Sequence, residues 1–187
     1  MRRVGIRDLG DVDRYVTHVR PTPPILLLGF SRYASTLLEE LIDQQAEVVD
    51  DIGVVDFNPE AKKILDRRGI FNFYGDLGHT DVLQHANISN SKLLICTLPD
   101  SMLKGTSNLK LLRQLSSLAP DATLIMTADF YYTARELYTA GATFVFMPRL
   151  MSARELAVVV FAIMTGQAGD MREEAMSALQ VRDEVLP

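Results

Sequence analysis

From Pro21 onward, short β-branched or leucine-rich runs take turns with longer stretches of helical period, and this alternation restricts the chain more than anything else in it. Six such runs stand out: Ile25 to Leu28, Ile52 to Asp56, Ile70 to Tyr74, Lys92 to Thr97, Thr123 to Thr127 and Thr143 to Met147. Strands separated by helices pair in parallel, with each helix as the crossover. The expected fold is α/β, a doubly wound sheet of about six mainly parallel strands with helices on both faces. The segments between the runs agree. Ala34, Leu37, Leu38, Leu41 and Ile42 share one helical face, as do Leu109, Leu112, Leu115 and Leu118, so each helix buries one side against the sheet. Asn58-Pro59 opens the second helix, Pro120-Asp121 separates the fourth from strand five, and Gly141 closes the fifth.

The first strand runs into Gly29-Phe30-Ser31-Arg32-Tyr33-Ala34, a degenerate Gly-x-Gly-x-x-Gly with an amphipathic helix directly behind it. In that motif the first glycine permits the tight turn and a small second residue lets the backbone approach a pyrophosphate. A small third residue brings helix close to strand, which makes the expected fold Rossmann-like. Amides at the helix start, aided by its dipole, then hold phosphate oxygens. Asp56 ends strand two, 22 residues beyond Ala34, where a carboxylate accepts from ribose hydroxyls and repels a 2′-phosphate. NAD(H), AMP, ADP or ATP is favoured over NADP. Gly75-Asp76 follows strand three in the same layout. Its glycine allows close contact with a base, and its carboxylate either reaches an adenine amino group or caps the helix that starts near Thr80. Arg32 reaches terminal phosphates or solvent. Phe57, Asn58 and Leu77, which flank the two aspartates, complete the candidate set on this side.

A length of 187 residues suits one domain with short tails. The expected division is a linker over 1–24 ending in Arg20-Pro-Thr-Pro-Pro24, a nucleotide-binding domain over 25–150, and a helix with a charged tail over 151–187. The 24 acidic against 19 basic residues give a net charge of -5, which argues against nucleic acid as a partner. The one cysteine, Cys96, lies in the apolar run of strand four and reads as a core residue of a protein in a reducing cytosol. No stretch approaches the roughly 20 apolar residues of a membrane span. The helix after strand six is apolar on one face through Leu156, Val159, Val160, Ile163 and Met164, and on the other through Val158, Phe161 and Ala162. One sheet cannot cover both, so residues 151–165 are expected to dock on a second copy of the chain, the alternative being a helix capped internally by the N-terminal segment.

From about Pro24 to Met164 the chain resembles the TrkA-N (RCK N-terminal) family, in particular the cytosolic C-terminal part of Kef-like monovalent cation:proton antiporters. The likeness rests on Ile25-Leu-Leu-Leu-Gly29-Phe-Ser-Arg-Tyr-Ala34, Val54-Val-Asp56, Tyr74-Gly-Asp76, Leu98-Pro-Asp100, Lys104-Gly-Thr-Ser-Asn108, Gly141-Ala-Thr-Phe-Val145 and Met147-Pro148-Arg149. It implies that Gly29, Ser31 and Ala34 line the phosphates of an adenine nucleotide, with Arg32 at the outermost one. It places Asp56 at the ribose, Asp76 near the adenine, and Thr97 and Asp129 where such domains close the pocket. It also implies a homodimer through the helix after strand six, a membrane-embedded cation transporter part in the same or a separate chain, and a place on the cytoplasmic face of the membrane. Ser31 departs from the family, which keeps glycine there; its side chain crowds the pyrophosphate approach, so that binding is weakened, restricted to a mononucleotide such as AMP, or lost.

An enzyme is the competing reading, an NAD-dependent oxidoreductase. It needs an acid or base, and none is well placed: His18, His79 and His85 fall in a linker and an exposed-looking helix, and Tyr131 is paired at helical spacing with Arg135, which does not share a proton near neutrality. Little chain remains after strand six for a substrate domain. The histidines and the cysteine show no metal-ligand spacing. A phosphoacceptor receiver domain needs carboxylates after strand one, where this chain has Gly29-Phe30-Ser31. The expectation is a regulatory, non-enzymatic domain.

Overall fold

The computed structural model describes residues 21–167, 169, 171–180 and 182. Residues 1–20, most of the expected linker together with His18, lie outside the described residues, as does most of the stretch after Gln180. The six runs form strands β1 (Ile25–Leu28), β2 (Ile52–Asp56), β3 (Phe71–Tyr74), β4 (Leu93–Cys96), β5 (Thr123–Thr127) and β6 (Phe144–Phe146). They make one sheet in the order β3-β2-β1-β4-β5-β6, and every neighbouring pair is parallel. This is the doubly wound Rossmann order, with its reversal between β1 and β4; the receiver-type order 2-1-3-4-5 differs.

Connections between parallel strands are right-handed. Because β1, β2 and β3 step one way while β4, β5 and β6 step the other, their helices fall on opposite faces. Helices α1 (Arg32–Gln44) and α2 (Pro59–Arg67) cover one face, where Ala34, Leu38, Ala61 and Leu65 pack on Leu27 and Val54. Helices α3 (Thr80–His85), α4 (Asn108–Leu118) and α5 (Tyr131–Thr139) cover the other, where Leu83, Leu111, Leu112, Leu115 and Leu137 pack on Leu28, Leu94 and Met126. In α4 the fully buried leucines are Leu111, Leu112 and Leu115, while Leu109 and Leu118 lie at the margin. The stripe is wider than a strict three- and four-residue spacing selects.

Two segments frame this core. The chain enters along Thr22 to Pro24, held at the amino ends of the strands. The Pro24 carbonyl accepts from the Lys92 and Leu93 amides at 2.8 and 3.0 Å, and Ser91 Oγ donates to the Pro23 carbonyl at 2.8 Å. The last residues of the expected linker are therefore attached to the domain. After β6 the chain turns into α6 (Pro148–Met164), and α7 (Met171–Gln180) follows. Helix α6 starts three residues before the expected 151, with Pro148 in its first turn. Among its residues only Pro148 is buried, and Phe161 and Met164 are 64% and 74% exposed.

Candidate functional site

In α/β sheets of this kind, ligands lie outside the carboxyl ends of the strands at the point where strand order reverses. The register pairs Leu28 with Val55, so the next residues, Gly29 and Asp56, leave their strands side by side. Gly29 has φ of +80°, a left-handed turn that glycine adopts without strain, and its amide donates to the Val55 carbonyl at 2.8 Å. The Asp56 carboxylate then straps the two turns together. Its Oδ2 accepts from the Phe30 amide at 2.7 Å, and its Oδ1 from the Asn58 amide at 2.6 Å. A carboxylate offers about four acceptor positions, so two remain for a ligand. Asn58 in turn caps α2, accepting from the Glu60 amide at 2.9 Å.

Ser31 caps α1. Its hydroxyl accepts from the Ala34 amide at 3.4 Å and shares a buried hydrogen bond of 3.1 Å with Thr97 Oγ1. Ala34 itself is fully buried among Leu27, Phe30 and Leu38. It therefore fills the helix-packing role of the motif's third position, with its amide on the Ser31 hydroxyl and its side chain in the core. Thr97, buried against Ser31, likewise lies beneath the surface of the site. Arg32 is exposed on the first turn of α1.

On the far side of Asp56, a β-carbon added at Gly75 would lie 2.4 Å from Val82 Cγ1. This glycine serves close packing against α3. Asp76 Oδ1 accepts from the Gly78 amide at 2.8 Å, an Asx turn ahead of α3, and Leu77 is a buried core residue.

A groove of about 280 Å³ lies over β1 and β2, lined by Phe30, Asp56, Phe57, Asn58, Pro59, Leu98 and Met102. A narrow crevice of about 10 Å³ continues toward Asp76, Leu77 and Lys104, and Leu98 and Met102 line it too. The structure thus brings Phe30, Asp56, Phe57, Asn58, Asp76 and Leu77 to one mouth. Asp129 is not among them. It lies after β5 with β4 between it and β1, beside a second depression of about 220 Å³ that includes Tyr131, Met147 and Arg149. There the Arg149 guanidinium lies 5.5 Å from the centre of the Phe130 ring and donates to the Asp129 carbonyl.

Pro59, Leu98, Met102, Leu103 and Lys104 line the groove or the crevice without being among the expected site residues. Leu98 and Lys104 stand in motifs that carry the family resemblance without a site role attached to them; Met102 has only its position, just beyond strand four at the reversal in strand order. Cys96 is buried and burial pushes its thiol up to about 12, which leaves it neutral and unreactive near physiological pH. His79 and His85 are exposed.

The family model described as the TrkA-N domain matches residues 25–148. Among solved structures, the chain is similar to the TrkA-N domain of the inner membrane protein ybaL from Escherichia coli, at 22% identity and a TM-score of 0.62, covering 72% of this chain and 94% of that one. It is also similar to the NAD(P)-binding domain of an exopolyphosphatase-related protein from Archaeoglobus fulgidus, at 18% identity and a TM-score of 0.61, covering 74% and 97%. A third likeness is to GsuK bound to ADP, at 21% identity and a TM-score of 0.60, covering 75% of this chain and 35% of that one. The GsuK channel bound to NAD is similar at 23% identity and a TM-score of 0.54, covering 67% and 21%. No curated protein matches the chain.

Proposed function

Because the chain belongs to the TrkA-N domain family, matched over residues 25–148, we propose that it is a nucleotide-sensing regulatory domain of a monovalent-cation transporter, of the Kef-like antiporter kind. One observation carries this reading: a 280 Å³ groove at the carboxyl ends of β1 and β2 with the Asp56 carboxylate in its wall. Asp56 holds the ribose of an adenine nucleotide, NAD(H), AMP, ADP or ATP, through its two remaining acceptor positions. Phe57 and Met102 flank the base, and Asp76 lies at the inner end. In this reading the bound molecule acts as a signal and not as a reagent. The ligand favours one arrangement of domain and partner over another and so shifts the gate of a membrane-embedded part at the cytoplasmic face. Two of the similar folds come from an inner membrane protein and from a channel, which supports that partner.

The second partner is another copy of this chain, docked through α6. Among the described residues, the face of the sheet covered by α1 and α2 has no helix over its other half, where an apolar groove of about 400 Å³ runs past Tyr33, Leu37, Ile125, Phe144, Phe146 and Met151. An uncovered apolar sheet face beside an uncovered apolar helix is self-complementary, as a two-fold interface requires.

Calorimetric titration of AMP, ATP, NAD and NADH into the purified chain tests the nucleotide reading, with Asp56→Ala as control. Saturable binding of at least one ligand that weakens in the variant is expected. Failure of all four to bind the parent overturns it.

A further inference from the structure

Two separate depressions flank the reversal in strand order. The one with Asp56 lies over β1 and β2; the other, beside Asp129 and Arg149, lies over β5 and β6. Two nucleosides joined by a diphosphate would have to cross from the first to the second over the turns that follow β1 and β4. Leu98 occupies that crossing. A β-carbon built on Gly29 would lie 2.2 Å from Leu98 Cδ1 and 2.4 Å from its Cγ, so the leucine rests directly on the glycine turn and is 6% exposed. Its main chain is pinned from beneath. The Leu98 carbonyl accepts from Asn108 Nδ2 at 2.8 Å, and the Asn108 amide donates to Asp100 Oδ1 at 2.6 Å. Next to it, the Ser31–Thr97 hydroxyl pair fills the place where the fingerprint keeps bare backbone.

Resting on the adenine-nucleotide reading above, we infer that this site takes a nucleotide with a single nucleoside, and that Leu98 is the residue that bars a dinucleotide. The volume beside Asp56 suits the smaller ligand, since pockets that enclose small molecules begin near about 300 Å³ and extend to about 1,000 Å³. A pinned side chain across the path rejects the second half of a dinucleotide by steric conflict, a means of discrimination that costs the smaller ligand nothing.

Titration of AMP and of NAD into the full chain, into Leu98→Ala and into Leu98→Val decides the matter. The parent binds AMP at least about ten-fold more tightly than NAD, and trimming Leu98 narrows that ratio about ten-fold, chiefly by gain of NAD affinity. Thermal melts identify which variants fold. Valine removes one methylene and carries the test, with a smaller gain, should alanine unfold the chain. A parent that prefers NAD or takes both equally overturns the assignment and leaves the nucleotide reading standing. A ratio unchanged in a folded variant also overturns it. A parent that binds neither AMP nor NAD overturns the assignment, and the nucleotide reading falls with it only if ATP and NADH fail too.

Discussion

Asp56 serves two ends, because the carboxylate in the groove wall also closes two backbone turns. Asp56→Ala leaves the Phe30 and Asn58 amides without that acceptor and is expected to lower stability by about 1–3 kcal/mol in urea melts, along with a loss of about ten-fold or more in nucleotide affinity. Gly29→Ala meets two separate penalties. The left-handed turn costs a β-carbon about 1–2 kcal/mol, and the overlap with Leu98 adds about 1–3 kcal/mol. In a Leu98→Ala background the second part is relieved, so a double-mutant cycle returns a positive coupling.

Cys96 gives a pH prediction. The fold raises its thiol from 9.0 to about 12, so the folded chain holds the proton more tightly than the unfolded one. The associated stability is whole below the unfolded value and is lost as pH climbs toward the folded one. Urea midpoints measured from about pH 8 to about pH 10.5 should fall more steeply for the parent than for Cys96→Ala.

Helices and strands differ in how plainly they announce themselves. The expected strands agree with the observed ones to within a residue at each end, because the central strands β1 and β4, covered on both sides, are apolar throughout and the outer ones are short runs rich in aromatic or β-branched residues. Ends of helices read well where a cap marks them, as Asn58-Pro59 does for α2. Asn58→Ala is expected to cost about 1 kcal/mol, measured by thermal melting, for the lost cap. Membership of a helix face was less legible: Leu111 in α4 is as buried as Leu112, yet a count of spaced leucines passes over it. The site shows the same division. Gly29 and Asp56 were legible because adjacent parallel strands end at one rim. Leu98 and Met102 were not, since a leucine over a crevice has the same composition as a leucine in a core. Asp129 fell elsewhere because position at the end of a strand says nothing of which strands lie between.

At the scale of the whole molecule, one apolar surface without a partner among the described residues dominates. Helix α6 leaves Leu156, Val158, Phe161 and Met164 more than half exposed, beside a half-covered sheet. Sedimentation equilibrium should find a dimer whose dissociation follows dilution, and Val158→Asp with Phe161→Asp should yield a folded monomer with an unchanged circular dichroism spectrum; a monomeric parent would remove the interface. Helix α6 is rooted at Pro148, on the same rim of the sheet as the groove, and three strand spacings, about 14 Å, separate β1 from β6. Its 17 residues extend about 25 Å from that root. They form a lever with its pivot at the binding rim, and a tilt of about 10° there swings the far tip by about 4 Å.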